Sequence, residues 1–442
     1  MNIVVIGTGY VGLVSGVCFS EFGFNVTCVD KDQQKIEQLE KGIIPIYEPG
    51  LDALVERNHA AGRLSFATSL EGHAENADAV FIAVGTPTRR GDGHADLSYV
   101  YAAASEVAEK LCDYTVIVTK STVPVGTGRQ VEAIMRKANP KADFDVVSNP
   151  EFLREGSAIN DFMRPDRVVV GAESARAIER MRALYRPLYL IEKPVLFTSL
   201  ETAELIKYAA NAFLAVKISY INQMADLCEA VGADVHDVAK GMGLDNRIGS
   251  KFLHPGPGYG GSCFPKDTLA LVKTAELFDV PVSIVSDVVS YNAARKSAMS
   301  TRVIDACGGD ISGKNIAVLG LSFKPETDDM RESPALDIIS ALCLSGANIT
   351  AYDPAAIEEA RPLLPETVIY VASAQDCLKG ADCVVMVTEW NEFRALTPQI
   401  FKSLMASPNL VDLRNIYEPK LCLLYTSPSP RDRTRSRMPS SA

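Results

Sequence analysis

No stretch of this sequence approaches the roughly eighteen uninterrupted apolar residues of a membrane-crossing helix. Its opening residues enter a strand-like segment directly, without the charged and then apolar pattern of a secretion signal. Its ten cysteines, at 18, 28, 112, 228, 263, 307, 343, 377, 383 and 422, include no Cys-x-x-Cys pair. That argues against a disulfide framework and for a reducing compartment. The five histidines, His59, His73, His94, His236 and His254, stand far apart without ligand spacing, so no metal site is expected. Positive charge is also short: 44 basic residues against 55 acidic ones give a net charge of −11, against any general attraction to nucleic acid or anionic membrane. The expectation is a cytoplasmic protein with neither as partner. What is present is a chain of 442 residues, 47% hydrophobic, too long for one core and expected to divide into two or three domains.

Ile3 to Ile6 reads as a buried strand ending in Gly7-Thr8-Gly9-Tyr10-Val11-Gly12, with a helical pattern through Phe22 and a second strand, Val26 to Val29, closed by Asp30. Strand, Gly-x-Gly-x-x-Gly, helix, strand and acid form the full dinucleotide-binding context. Gly7 permits the tight turn, Gly9 lets the backbone approach a pyrophosphate, and Gly12 allows close helix packing; Tyr10 and Val11 belong to the same cofactor set. Asp30 favours NAD over NADP by binding the ribose diol, a preference weakened by Lys31 and Lys35 within reach of a phosphate. Further strands, Ala79 to Val84 and Val116 to Thr119, run into Gly85-Thr86-Pro87-Thr88 and Lys120-Ser121-Thr122, at the strand ends where ligands bind in such sheets. Thr86 and Thr122 are the hydroxyls assigned to the site; capping the next helix is the plain alternative.

A second signal lies near the middle, in Gly258-Tyr259-Gly260-Gly261-Ser262-Cys263-Phe264-Pro265-Lys266-Asp267. It reads as a catalytic loop whose glycines let a substrate approach the sulfur, with Lys266 favouring the thiolate and Asp267 handling a proton; a turn around a structural cysteine is the alternative. Val146 to Ser148 is a strand followed by Asn149-Pro150-Glu151-Phe152-Leu153-Arg154-Glu155-Gly156, whose two carboxylates flank an arginine and are candidate site groups; an ordinary salt-bridged helix start is the plain alternative. Ser199 to about Ala230 predicts a helix of roughly thirty residues with Glu204, Lys207 and Asn211 on one face. A second helical region is expected from Thr268 to about Ala306. Lys314 to Leu319, Pro334 to Leu344, Asn348 to Tyr352 and Asp353 then echo the first unit without its three glycines, so a different ligand is expected there, with Lys324 and Arg331 in contact. Cys383 to Val387 and Asn409 to Leu413 are the later strands, and the only tryptophan, Trp390, lies between them. From Leu421 the chain turns to Ser, Pro and Arg, read as a disordered or non-native tail.

The decapeptide at 258 to 267, Ser-Thr-Val-Pro-Val-Gly-Thr at 121 to 127, Asn-Pro-Glu-Phe-Leu-Arg-Glu-Gly at 149 to 156, and Phe-Lys-Pro with Arg-Glu-Ser-Pro at 331 to 334 resemble the UDP-glucose 6-dehydrogenase family from Met1 to about Lys420. The resemblance implies an α/β fold of two Rossmann-like doubly wound domains joined by a long central helix. The expected division is 1–198, 199–306 and 307–420, with 421–442 as the tail. It further implies a four-electron, NAD-dependent oxidation of UDP-glucose to UDP-glucuronate by a homodimer or higher homo-oligomer. The implied roles are Cys263 as nucleophile, Lys207 and Asn211 at the oxyanion, Asp267 and Thr122 for a proton or water, and Glu151 as base. Glu155, Lys266 and Arg331 lie by the cofactor. Phe152, Leu153, Arg154, Phe252, Leu253, His254, Pro255, Gly256, Gly260 and Lys324 join Glu151, Lys207 and Asn211 at the substrate, and Arg247 reaches the neighbouring subunit's substrate. The rivals are a GDP-mannose or UDP-N-acetylhexosamine 6-dehydrogenase, a two-electron hydroxyacid dehydrogenase, and a non-catalytic nucleotide-sugar sensor.

Overall fold

The computed structural model describes residues 1–89 and 94–417; the tail expected from Leu421 lies outside the described residues. The chain forms two compact units, Met1–Ala210 with Lys273–Val280, and Asn211–Val272 with the residues from Pro281 onward.

The first unit holds an eight-stranded sheet: β1 (Asn2–Ile6), β2 (Asn25–Val29), β3 (Leu64–Ala67), β4 (Ala79–Ile82), β5 (Thr115–Thr119), β6 (Phe144–Ser148), β7 (Val168–Gly171) and β8 (Val195–Thr198). Their order is β3-β2-β1-β4-β5-β6-β7-β8. All neighbours are parallel except β6 and β7, which meet only at Ser148 and Gly171. β4 and β5 are buried along their whole length, which is why they read as continuous apolar runs rather than alternating ones. One side of the sheet carries Phe19 in ring contact with Phe81, Phe162 and Tyr185, and the other packs Val80, Ile117, Val107 and Met135.

The second unit repeats the pattern with β9 (Asn315–Leu319), β10 (Asn348–Tyr352), β11 (Ile369–Tyr370), β12 (Cys383–Met386) and β13 (Asn409–Asp412), all parallel in the order β11-β10-β9-β12-β13. Two Rossmann-like halves are therefore present, and the predicted strands of both are found within about two residues. β3, β7, β8 and β11 were not anticipated.

The long helix runs from Leu200 to Val231, 32 residues without Gly or Pro. The single helical region expected from Thr268 to Ala306 is instead two helices, Phe264–Leu277 and Ser283–Ala306. Asp279 takes a left-handed φ of 53°, and Pro281 lacks the N–H that a continuing helix needs. No helix among the described residues is long and apolar enough to cross a membrane. Cys18, Cys28, Cys228, Cys377 and Cys383 are buried, whereas Cys112 is exposed; no disulfide joins any of the described cysteines.

Candidate active site

In the first unit, the turn after β1 has the stereochemistry that a dinucleotide requires. Gly7 has φ of 96°, and a Cβ there would stand 2.7 Å from the Ala83 carbonyl oxygen. A Cβ on Gly12 would strike the Gly7 carbonyl oxygen at 1.9 Å, while Gly9 faces open space. Gly9 begins the helix Tyr10–Glu21 with no side-chain cap and no acid in its first turn, leaving its positive end available to a phosphate. Asp30 Oδ2 accepts from the Thr8 N–H at 2.8 Å and the Thr8 hydroxyl at 2.7 Å, and Oδ1 from the Asp32 N–H at 3.1 Å. Burial works against its ionisation, but these donors and the Lys35 ammonium, 3.4 Å away, outweigh it and hold the carboxyl below its ordinary range. Lys31 is turned to solvent and paired with Glu106, so Lys35 is the basic group that accompanies Asp30.

The fingerprint is also latched to a distant loop. The Tyr10 hydroxyl donates to Glu48, and the Gly156 N–H donates to Glu48 Oε2 at 2.8 Å. Half-buried Glu155 precedes Gly156, so the latch ties the loop carrying it to the fingerprint helix. Thr86 donates its hydroxyl to the Thr122 carbonyl oxygen at 3.0 Å, bracing that loop.

Buried deeper, Lys207 Nζ donates to Glu151 Oε1 at 3.0 Å, with exposures of 3% and 5%. Burial raises the Glu151 carboxyl, yet the charge of Lys207, the Leu153 N–H and the charge of Lys120 outweigh that and leave it below the ordinary range. Thr122, Ser148, Glu204 and Lys207 line one small pocket. Glu204, grouped in the sequence with Lys207, has a different task. It accepts from the Gly126 and Gly128 N–H groups at 2.7 and 2.8 Å, capping the helix Thr127–Ala138. The alternative of an ordinary salt-bridged helix start at 151–155 does not hold: no helix forms there, Arg154 pairs with Asp161 at 2.6 Å, and Glu151 is turned inward to Lys207. The Phe152 ring carries the Arg167 guanidinium 3.6 Å above its centroid.

In the second unit, Cys263 stands immediately before the helix Phe264–Leu277, and its carbonyl accepts the first helical bond from the Asp267 N–H at 2.8 Å. The stretch read as a loop thus places its sulfur at a helix N-terminus, where an anion is favoured. Asp267, 1% exposed, accepts from Asn211 Nδ2 at 2.6 Å on one oxygen and from Lys266 Nζ at 2.8 Å on the other. Lys266 is thus ion-paired with Asp267, one turn from the thiol. The glycines before Cys263 also have close neighbours in this unit. A Cβ on Gly260 would meet the Glu332 carbonyl oxygen at 2.4 Å, and one on Gly261 the Phe323 ring at 2.6 Å. Their lack of a side chain admits the segment 323–332.

Phe252 adopts a left-handed φ of 63°, and its ring lies edge-on to Phe264. Leu253, Pro255 and Gly256 are buried while His254 is exposed. Gly256 is held at its N–H by Asn222 at 2.8 Å and at its carbonyl by Arg295 at 2.7 Å. Arg247 and Arg331 are exposed and paired with neighbouring Asp245 and Asp329. Lys324 Nζ lies 5.3 Å from the Phe323 ring centroid. The structure thus joins Glu151, Lys207 and Thr122 in one unit and Cys263, Lys266, Asp267 and Asn211 in the other, but draws Arg154, Arg247 and Arg331 into surface pairs.

The profile of the UDP-glucose/GDP-mannose dehydrogenase family matches in three consecutive parts: its NAD binding domain over residues 1–189, its central domain over 201–294 and its UDP binding domain over 317–419. The chain belongs to the UDP-glucose/GDP-mannose dehydrogenase family. A UDP-glucose 6-dehydrogenase of Rhizobium meliloti (strain 1021) is 62% identical over 419 residues, covering 94% of this chain and 96% of its own. The structure of a UDP-glucose dehydrogenase from Pyrobaculum islandicum superposes with a TM-score of 0.89 at 38% identity, over 97% of this chain and 96% of that one. A UDP-D-ManNAc dehydrogenase from Pyrococcus horikoshii gives 0.82 at 26% identity, over 95% and 96%. Within this family member, the strand-end turn at Gly7 to Gly12 lies in the NAD binding domain, and its open Gly9 and uncapped helix fit that cofactor.

Sequence reasoning missed two members of the buried network, Lys120 and Asn149. Lys120 was quoted only as the start of a hydroxyl-bearing loop; a lysine that directly continues an apolar strand was the available signal.

Proposed function

We propose that this protein oxidises UDP-glucose to UDP-glucuronate in two successive two-electron steps, using two NAD and one water. The observation that carries the reading is the environment of Cys263: a thiol at a helix N-terminus with a buried Asp267 one turn on, held by Asn211 and Lys266. A thiol so placed suits covalent capture of an aldehyde, which a two-electron hydroxyacid dehydrogenase does not need. When bound, NAD accepts the hydride of each oxidation.

The Cys263 thiolate adds to the aldehyde carbon, and after the second oxidation the resulting thioester is opened by water. Lys207 and Asn211 stabilise oxygen anions, Asp267 and Thr122 hold a proton or the water, and Glu151 is the base. Gly7, Gly9, Tyr10, Val11, Gly12, Asp30, Lys35, Thr86, Thr122, Glu155, Lys266 and Arg331 are assigned to the cofactor. Phe152, Leu153, Arg154, Arg247, Phe252 to Gly256, Gly260 and Lys324 are assigned to the substrate. Residues 1–198, 199–306 and 307–420 are taken as the working divisions. A homodimer is the proposed assembly, supported by exposed Phe213, Tyr220 and Leu227 at seven-residue spacing along one face of the long helix. Because NAD and a nucleotide sugar must both be supplied, the cytoplasm is the proposed compartment.

An NADH-release assay with UDP-glucose, GDP-mannose and UDP-N-acetylmannosamine side by side tests the substrate. The expected result is two NADH per UDP-glucose, and a stable ratio of one would sink the covalent route. Cys263→Ser is expected to stop at or near the first oxidation, since a hydroxyl is a poorer nucleophile and leaving group; wild-type turnover in that variant contradicts it. Absence of NADH with every sugar would favour the sensor.

A further inference from the structure

We propose that Lys120 is a positioning residue for Glu151: its buried ammonium braces the turn that carries Glu151 and keeps that carboxylate charged opposite Lys207. The inference rests on the assignment of Glu151 as the base of the hydrolytic step.

Lys120 directly follows β5 and is 4% exposed. Its Nζ donates to Asn149 Oδ1 at 3.1 Å and to the Tyr185 hydroxyl at 3.4 Å, and lies 5.8 Å from the Phe162 ring centroid. Asn149 stands two residues before Glu151. It also accepts from the Tyr185 hydroxyl, and its Nδ2 donates to the Val169 carbonyl oxygen at 2.7 Å. Lys120 therefore helps clamp the end of β6 to β7 where the two strands barely pair. Its hydrogen-bond partners are neutral, an expensive setting for a buried ammonium.

A neutral side chain would make a cheaper clamp, so the charge needs a use. The ionisable groups facing it are Glu151, Lys207 of the long helix and Tyr185 at the end of the helix Ala175–Leu184. Burial pushes the Lys120 ammonium down to about 8; Glu151 draws it back up, and Lys207 pushes it further down. In return, the Lys120 charge is one of those holding Glu151 below the ordinary carboxylate range. Two ammonium groups against one carboxylate keep Glu151 ionised in a site that would otherwise protonate it. In the step served, the oxygen of water bonds to the acyl carbon and the carbon–sulfur bond breaks. Cys263 leaves as thiolate and the proton lost by water passes to Glu151, so no oxidant is required.

The test compares wild type with Lys120→Met, which removes charge and hydrogen bonds, and Lys120→Gln, which keeps a donor for Asn149 without charge. NADH formation from UDP-glucose is measured across pH, and intact mass after quenching reports acyl groups on the protein. In both variants kcat is expected to fall about tenfold or more, with KM for NAD and UDP-glucose within about twofold. The acid limb of kcat should move up by about one pH unit, and a single acylated species should accumulate. A smaller loss of kcat in the Gln variant, with the same limb shift, would separate the charge from the clamp. An unmoved limb without acyl accumulation would overturn the role of Lys120. If the Met variant does not fold, the limb in the Gln variant decides. A wild-type protein that makes no NADH from UDP-glucose removes the substrate reading and this inference with it, whereas active wild type with unshifted variants removes this inference alone.

Discussion

The two halves of this protein solve the same topological problem and use the result differently. Each has a central strand, a glycine at its end with φ near 95°, and an acid closing the neighbouring strand: Gly7 and Asp30 in the first, Gly320 and Asp353 in the second. In the first half the turn enters its helix within a few residues, Gly9 faces open space, and Asp30 stays partly exposed. In the second, residues 321–333 intervene before the helix Pro334–Leu344. There Asp353 Oδ2 takes the Leu321 and Ser322 N–H groups, the Ser322 hydroxyl and the Trp390 indole N–H, at 2.7 to 3.1 Å. The acid that stays partly exposed in one half is sealed as a structural hub in the other. A shared sheet order therefore does not imply a shared ligand site; what occupies the acid's hydrogen-bond capacity decides.

The comparison breaks first at Asp353. Asp353→Ala strands several buried donors at once and is expected to destabilise the second half by about 3–5 kcal/mol, read as a lower urea midpoint. Gly7→Ala comes next: a left-handed residue must then push against the Ala83 backbone, and KM for NAD is expected to rise at least about a hundredfold. Asp30→Ala should raise KM for NAD roughly tenfold to a hundredfold while altering stability by about 1 kcal/mol or less. Equal stability losses in the two aspartate variants would refute the division of labour.

The smallest effect is in pH. The folded Asp30 carboxyl lies below its unfolded value, so its contribution is complete above an ordinary pKa of about 3.9 and is lost as pH falls through the lower folded value. Asp412, at the end of β13, runs the other way. Burial raises its carboxyl against the N–H groups of Tyr417 and Arg414, so the fold gains stability as pH falls through that raised value. Hydrogen exchange below about pH 4 should therefore show protection declining around Asp30 before it declines around Asp412.

Much of this was legible because it is local. The fingerprint, the terminal acids and the helix Leu200–Val231 each announce themselves within about thirty residues, through glycine stereochemistry, apolar runs and helical period. The motifs around Cys263 and Glu151 were equally plain as motifs. Their partners were not. Glu151 reads locally as the partner of Arg154, and only folding turns it to Lys207, 56 residues away. Lys266 reads as a neighbour of the thiol, and its bond to Asp267 shows only in the fold. The glycines around 260 read as room for substrate, and only the fold shows Glu332 and Phe323 against Gly260 and Gly261.

By itself the sequence determined the alternation of strand and helix, the two Rossmann-like halves, the dinucleotide turn and the identities of the chemical groups, because backbone stereochemistry and hydrophobic period are properties of neighbouring residues. Only the tertiary structure decided which charges are paired, which acid is sealed, and that Lys120 stands behind Glu151. Pairing and burial depend on groups brought from distant strands, and the cost of an isolated charge in a low-dielectric interior makes those long-range partners decisive.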